Sequence, residues 1–402
     1  MAFKTSSDGT LGSAKQGALA SISGIPAMYG TGDHTTLPSN ENKIAASDGA
    51  ANDSFGKSVS VGSGRIVVGA STDDTYKGSA YIFDLDGTQL AKITASDGAT
   101  FDQFGASVAV GSGRIVVGSP FDDDNGSSSG SAYIFDLNGT QLAKITASDG
   151  ASNDYFGASV AVGSGRIVVG ANGDDDAGSD TGSAYIFNLN GTQLAKITAS
   201  DAAANNTFGN SVAIGSGRIV VGASKYNGFT GSVYIFDLDG NEIIKITASD
   251  GAAGDSFGER VAVGSGRIVV SATGDDNYKG SAYIYDLNGN LITKITASGG
   301  ASFNFFGYSA AVGNGRIIVG SIVGTGFSYV YDLDGNELVK IAASDGAAND
   351  QFGVSVTAGN GRIVIGADYS RPTGSVNRTG TAYIYNTPDV ITPYEVQDRE
   401  RA

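Results

Sequence analysis

Two patterns of apolar residues alternate along this chain. One is continuous, as in Ile115-Val116-Val117 after Arg114; such a run predicts a strand covered on both faces. The other has period two: Tyr133 and Phe135 point one way, Ala132 and Ile134 the other. Between such runs stand tight-turn signals, Gly111-Ser112-Gly113 and Asn138-Gly139. Together they predict a four-stranded unit: A (Phe104 to Val110), B (Arg114 to Ser119), C (Ser131 to Leu137) and D (Gln141 to Ala147). The unit recurs seven times, each copy marked by a Phe-Gly pair at Phe55, Phe104, Phe156, Phe208, Phe257, Phe306 or Phe352. The steps are 49, 52, 52, 49, 49 and 46 residues. A period near fifty residues, built from short strands, predicts an all-β, seven-bladed β-propeller of four-stranded antiparallel blades.

The copies are out of phase with the ends of the chain. A strand-D sequence, Lys43-Ile44-Ala45-Ala46, precedes the first Phe-Gly, and the last copy stops at strand C, Tyr383-Ile384-Tyr385. Pairing of residues 42–46 with 380–386 would hide two raw sheet ends, so an N-terminal strand is expected to complete the last blade. The expected domains are an N-terminal arm over 1–40, the propeller over 41–387 and a C-terminal tail over 388–402.

Composition narrows the function. With no cysteine and a single histidine, His34, outside the repeats, a thiol nucleophile, a cysteine-bound zinc or a histidine-based triad is excluded. The net charge of −16 repels nucleic acid and anionic membrane, so neither is an expected partner. No run reaches the length of a membrane span, and the first residues carry no export-signal pattern.

The Phe-Gly before strand A, with Val-Gly-Ala or Val-Gly-Ser closing strand B, resembles the FG-GAP repeat family. That family forms seven-bladed propellers, including the one in integrin alpha subunits. The likeness covers residues 43–386. The family's calcium loop, Asp-x-Asp-x-Asp-Gly between strands A and B, is replaced here by Gly62-Ser63-Gly64 or Gly313-Asn314-Gly315. Those turns cannot supply the six to eight oxygens that calcium takes, so the family's calcium sites do not carry over and no cofactor is expected, with Ca²⁺ or Mg²⁺ on the acidic B–C loops as the open alternative. The segments Ala46 to Gly56 and Ala343 to Gly353 are similar to the bacterial and phage branch of the family, whose members are surface or virion proteins.

Several polar positions repeat. Strand D carries Lys43, Lys92, Lys144, Lys196, Lys245, Lys294 and Lys340, expected as edge charges that block strand addition. Strand B opens with Arg65, Arg114, Arg166, Arg218, Arg267, Arg316 and Arg362. Pairing within the blade to Asp84, Asp136, Asn188, Asp237, Asp286, Asp332 or Asn386 is expected. In the D–A loops, Asp48, Asp97, Asp149, Asp201, Asp250 and Asp345, and the Asp or Asn two residues before each Phe, are expected to satisfy turn donors. The Phe itself is expected to plug the gap between blades.

The copies diverge mainly in the B–C loops, on the face opposite the tight A–B hairpins, which is where variable loops on a rigid scaffold place a binding surface. Asp122, Asp123, Asp124, Asp174, Asp175 and Asp176 are the weak metal candidates there, with solvated acids as the default reading. Candidate partner-binding residues are Tyr76, Lys77, Phe121, Lys225, Tyr226, Phe229, Tyr278, Lys279, Tyr369 and Arg371. An aromatic beside a donor suits contact with a sugar or a protein. Blade six adds Phe303, Phe305, Tyr308 and Phe327, with Ile322 and Val323, as an apolar patch or as local packing.

Three functions compete. The first is a non-enzymatic adhesion or display module, most simply a virion protein: a fibre, decoration or receptor-binding component. It would dock on other virion or surface proteins through the N-terminal arm and meet a host glycan or protein through the loop face. The second is a bacterial cell-surface or secreted lectin-like propeller. The third, an enzyme in the central channel, is disfavoured because the inner strands are near-copies of small residues.

Overall fold

A computed structural model describes residues 41–387 apart from 177, 301 and 371–377. The proposed arm over 1–40, the tail over 388–402 and Arg371 lie outside the described residues. Seven four-stranded antiparallel sheets follow one another in chain order. Blade one is Phe55–Gly62, Arg65–Ala70, Ser79–Phe83 and Gln89–Ile93. Blade seven takes Ser355–Gly359, Arg362–Ala367 and Thr381–Asn386 from the C-terminal end and Asn42–Ile44 from the N-terminal end. In that last sheet Asn42 lies opposite Ile384, Lys43 opposite Tyr383 and Ile44 opposite Ala382. Among the described residues, no helix is long and apolar enough to cross a membrane.

The apolar cores lie between blades, as the two-faced pattern of strand C requires. Tyr133 and Phe135 of blade two pack with Val67, Ala80, Ile82 and Ile93 of blade one. Ala132 and Ile134, on the other face of the same strand, pack with Phe156, Tyr185 and Phe187 of blade three. Phe104 is fully buried in the first of these seams, edge-on to Tyr133 at 5.4 Å and to Phe135 at 5.9 Å. Burying such a ring stabilises by roughly 1.5–3 kcal/mol.

The Phe-Gly pair sits ahead of strand A in blades two to seven; in blade one the strand begins at Phe55 itself, with an irregularity in pairing between Phe55 and Ser58. Strand A of blade two begins at Ser107, three residues later than the hydrophobic pattern predicts, and strands C and D end at Phe135 and Ile145. The Phe104 backbone belongs to the neighbouring blade: its N–H donates to the Lys77 carbonyl (2.9 Å), and it bridges Gly78. Gly105 then turns the chain at φ +92, where a Cβ would come within 2.3 Å of the Ser79 carbonyl oxygen. The motif is therefore a weld between consecutive blades.

Arg65, Arg114, Arg166, Arg218, Arg267 and Arg316 bind the preceding glycine carbonyl of their own turn, as Arg65 Nη1 does Gly64 O (3.1 Å). Five arginines bind across the seam rather than to the expected acid of their own blade. Arg166 does lie opposite Asn188 in the ladder, but the guanidinium points off the sheet face toward the next blade. Arg65 Nε donates to Leu137 O (3.1 Å), Arg114 to Leu189 O (3.2 Å), Arg218 to Leu287 O (3.1 Å), Arg267 to Leu333 O (2.9 Å) and Arg362 to Leu85 O (2.8 Å). The expected partner acids are committed elsewhere: Asp84 Oδ1 accepts from Asp86 N (3.0 Å) and Thr88 N (2.8 Å) of its own turn. The ion pairs that form involve the next blade's turn acid, as in Arg362–Asp86 at 2.9 Å and Arg267–Asp334 at 3.2 Å.

Candidate functional site

The loop face is a rim of B–C and D–A loops tied together by backbone hydrogen bonds. Each B–C loop lies against the D–A loop that enters the following blade. Gln103 N donates to Tyr76 O (2.9 Å), Tyr155 N to Ser128 O (3.1 Å), Thr207 N to Asp180 O (3.0 Å), Ser256 N to Phe229 O (2.7 Å) and Phe305 N to Tyr278 O (3.0 Å). The variable side chains are thus carried on a stapled frame. The Asp two residues before each Phe braces its own loop, as expected of turn acids: Asp53, Asp102, Asp154, Asp255 and Asp350 each accept from the N–H three residues earlier.

The acidic loops are only in part solvated acids: Asp74, Asp123, Asp124, Asp175, Asp176 and Asp276 are exposed. Asp73, Asp122, Asp174 and Asp275 are buried, and each meets the strand-D lysine of its blade. In blade three, Lys196 Nζ lies 2.8 Å from Asp149, 2.9 Å from Asp174 and 2.6 Å from Asp176. The Tyr185 hydroxyl shares its one proton between Asp149 (2.9 Å) and Asp174 (2.6 Å). Blade two repeats this with Lys144, Asp97, Asp122, Asp124 and Tyr133. Burial alone raises the Asp149 carboxyl, but the Lys196 ammonium and Tyr185 hydroxyl outweigh it and hold it below the usual range.

The lysine ring is therefore not a set of free edge charges. In every blade but the sixth the ammonium folds back over its strand-C tyrosine into the carboxylates, 5.3 Å from the Tyr133 ring in blade two; in blade six Lys340 lies over the Phe327 and Tyr329 rings. The D–A loop acids Asp48, Asp97, Asp149, Asp201, Asp250 and Asp345 serve this cluster, each accepting from a tyrosine hydroxyl. Of the six metal candidates, Asp122, Asp124, Asp174 and Asp176 surround an ammonium, and Asp123 and Asp175 are exposed. Asp149, Asp174 and Asp176 have the spacing of a cation site, and the Lys196 ammonium lies among their carboxylates.

The aromatic candidates divide into three groups. Some belong to the scaffold. Tyr226 takes the place that Asp73 and Asp275 hold in other blades and lies under Lys245, 3.5 Å from ring centre to Nζ. Phe327 opens strand C of blade six, where Gly299 replaces the usual Asp, and the Lys340 ammonium lies 3.9 Å from its ring. Tyr308 packs under Arg260 at 5.8 Å. Phe121 meets Tyr155 edge-on at 5.6 Å.

Others stand alone on the rim: Phe229 and Tyr369 are exposed, as is Lys225. The third group forms clusters across two blades. Tyr278 stacks on Phe303 (5.7 Å, 12° between planes) and leans on Phe305 (5.5 Å), with Lys279 held to Asp276 at 2.7 Å. Tyr76 meets Phe101 at 5.6 Å, with Lys77 3.5 Å from Asp74. The expected blade-six patch is thus divided. Phe303 and Phe305 join the loop of blade five, while the Ile322–Val323 loop is tied to the following D–A loop, where Asn349 N donates to Gly324 O (2.7 Å).

Two features escaped the sequence reading. Phe101 was not singled out, although aligning the D–A loops on their Phe-Gly pairs shows it at a position that is elsewhere Asn, Gly or Phe. At the loop end of the hub, blade five replaces the usual Ser-and-Gly pair by Arg260 and Ser271, one step beyond the ladder pair Val261–Val270, where Ser271 N donates to Arg260 O (2.9 Å). Ser271 Oγ accepts from Arg260 N (3.0 Å), Arg260 reaches Tyr308, and Asn210 donates to Glu259 O (3.1 Å). Asn210 Oδ1 in this cluster is buried without a hydrogen-bond partner.

A profile of the family described as FG-GAP repeat matches residues 38–83, 88–135, 140–187, 192–236, 241–285 and 336–385. Each match runs from strand D through strand C, the phase in which blade seven is assembled. The unmatched stretch contains the sixth copy, with Gly299 and the shortened B–C loop. Comparison with curated proteins gives no match.

Proposed function

Because this chain belongs to the FG-GAP repeat family, we propose that it is a non-enzymatic binding module displayed on a virion. The propeller of this family fits a protein-binding role, and the family is typically non-catalytic. The observation that carries the proposal is the contrast between the two faces of the disc. The A–B hairpins repeat Gly-Ser-Gly or Gly-Asn-Gly, whereas sequence divergence and exposed aromatics gather on the stapled loop rim. A rigid frame with variable, ring-bearing loops on one side is suited to holding a partner, not to converging catalytic groups.

In this reading the loop rim meets a host-surface glycan or protein, and residues 1–40 dock the propeller on another virion subunit. Mass spectrometry of washed virus particles, with cross-linking to identify what residues 1–40 touch, tests it. The expected result is the chain in the particles, cross-linked through that segment. A protein absent from particles and found on cell surfaces or free in the medium overturns the virion assignment and favours the lectin-like surface protein.

A further inference from the structure

Three residues before each Phe-Gly pair, every D–A loop passes through left-handed backbone. Five blades place there a residue that tolerates it: Asn52 (φ 69), Asn153 (φ 69), Asn205 (φ 63), Asn349 (φ 68) and Gly254 (φ 97). Blades two and six place Phe101 (φ 78) and Phe303 (φ 65). A side chain with this bulk costs about 1–2 kcal/mol in that conformation. Burial does not compensate, because Phe101 is 62% exposed and Phe303 59%. Folding therefore supplies no reason for either ring.

Both rings meet an aromatic on the adjacent B–C loop that is also left-handed, Tyr76 (φ 63) and Tyr278 (φ 62). The two B–C loops are near-duplicates, Asp73-Asp74-Thr75-Tyr76-Lys77-Gly78 and Asp275-Asp276-Asn277-Tyr278-Lys279-Gly280. In each, three consecutive residues are left-handed, a run that L-residues avoid. Strain of this kind, kept at exposed positions, marks function.

We propose that the two ring pairs, Tyr76–Phe101 and Tyr278–Phe303, are twin subsites that stack uncharged pyranose rings of a repeating glycan. The inference rests on the display reading above and names what that rim binds. Area favours a sugar over a protein at the pairs themselves: a half-exposed pair of aromatics offers about 200 Å², which matches a stacked ring, against roughly 800 Å² per side for a stable protein interface. Charge excludes a polyanion, since the body carries −16 and each pair is flanked by acids, Asp74 and Asp276. Beside each pair a lysine and an aspartate, Lys77–Asp74 and Lys279–Asp276, offer a donor and acceptors for hydroxyl groups. The pairs stand between blades one and two and between blades five and six, far apart on the ring. One stacked sugar binds weakly, and two sites on one polymer gain by effective concentration.

The test is affinity electrophoresis of the full chain through gels containing dextran, mannan or galactomannan, with heparin as the polyanion, backed by an array of neutral oligosaccharides. The variants are Phe101→Asn, Phe303→Asn and the double change, each restoring the residue type of the other blades. Retardation by a neutral polysaccharide is expected, weakened roughly tenfold by either single change and lost in the double. Melting temperatures should stay level or rise as strain is relieved. The inference is overturned if no neutral glycan is retained, if heparin is preferred, if the double variant binds like the parent, or if the variants lose several degrees. A double variant that still reaches host cells or virions removes the glycan sites and leaves the display reading standing. Loss of all rim-dependent binding in the parent chain removes both.

Discussion

Lys196 holds its ammonium 2.9 Å from the buried Asp174 carboxylate, with Asp149 and Asp176 closing the cage. Breaking one side of such a buried pair leaves charge without a counterion. Lys196→Met should lower stability by about 3 kcal/mol in urea unfolding. The emptied trio then has calcium-like ligands, so millimolar Ca²⁺ should raise the melting temperature of the variant and leave the parent unmoved. A parent chain stabilised by Ca²⁺ would show that the ammonium is not the cation of this site.

The seam arginines can be separated from the ladder acids by a double-mutant cycle. Arg65→Met should cost about 1 kcal/mol through its lost bond to Leu137 O, and Asp84→Ala a similar amount through its turn. Their coupling should lie within about 0.5 kcal/mol of zero, because the two side chains have separate partners. A coupling well above that would restore a pair within the blade.

Phe156 has no exposed surface and stands edge-on to Tyr185 and Phe187 at 5.5 and 5.9 Å. Phe156→Ala should cost about 3–5 kcal/mol, as a cavity in a rigid seam does. Calorimetry that finds less than about 1 kcal/mol would mean that the blades close up around the gap.

Burial, and then the nearby Asp174, Asp175 and Asp176, push the Asp154 carboxyl up to about 6, against the donated Ala151 N–H. The folded value lies above the unfolded value of about 3.9, so the fold holds this proton more tightly. The resulting stabilisation is full below about pH 4 and is lost as pH rises through 6. Asn206 and Asn304 fill the same place in other blades. Asp154→Asn should therefore gain on the order of 1 kcal/mol over the parent at pH 7 and nothing at pH 4. An equal difference at both pH values contradicts this.

Removal of residues 1–46 takes away the strand Asn42–Ile44 and Glu41, which accepts from Ser344 Oγ (2.6 Å) and Tyr385 OH (2.8 Å). That truncation should abolish cooperative unfolding by circular dichroism, whereas removal of 1–38 should leave the melting temperature unchanged. A large loss for the shorter truncation would mean that the preceding residues help hold the ring.

Blade number, strand order and the faces of strand C were all legible along the chain, because each depends on neighbours one, two or about fifty residues away. Phe104 reads as a core ring and Gly105 as a turn on local grounds alone. The partners of charged groups were not legible. Arg65 and Asp84 stand one step beyond the ladder pair Ile66–Phe83, yet the Arg65 guanidinium reaches Leu137 of the next blade, and no spacing in the sequence encodes that reach. Lys196 reads as an edge charge until Asp149 and Asp174 arrive from two different loops. Phe101 is one unremarkable aromatic in the sequence; only its left-handed backbone and exposed ring, both set by how two loops staple together, distinguish it from a core residue.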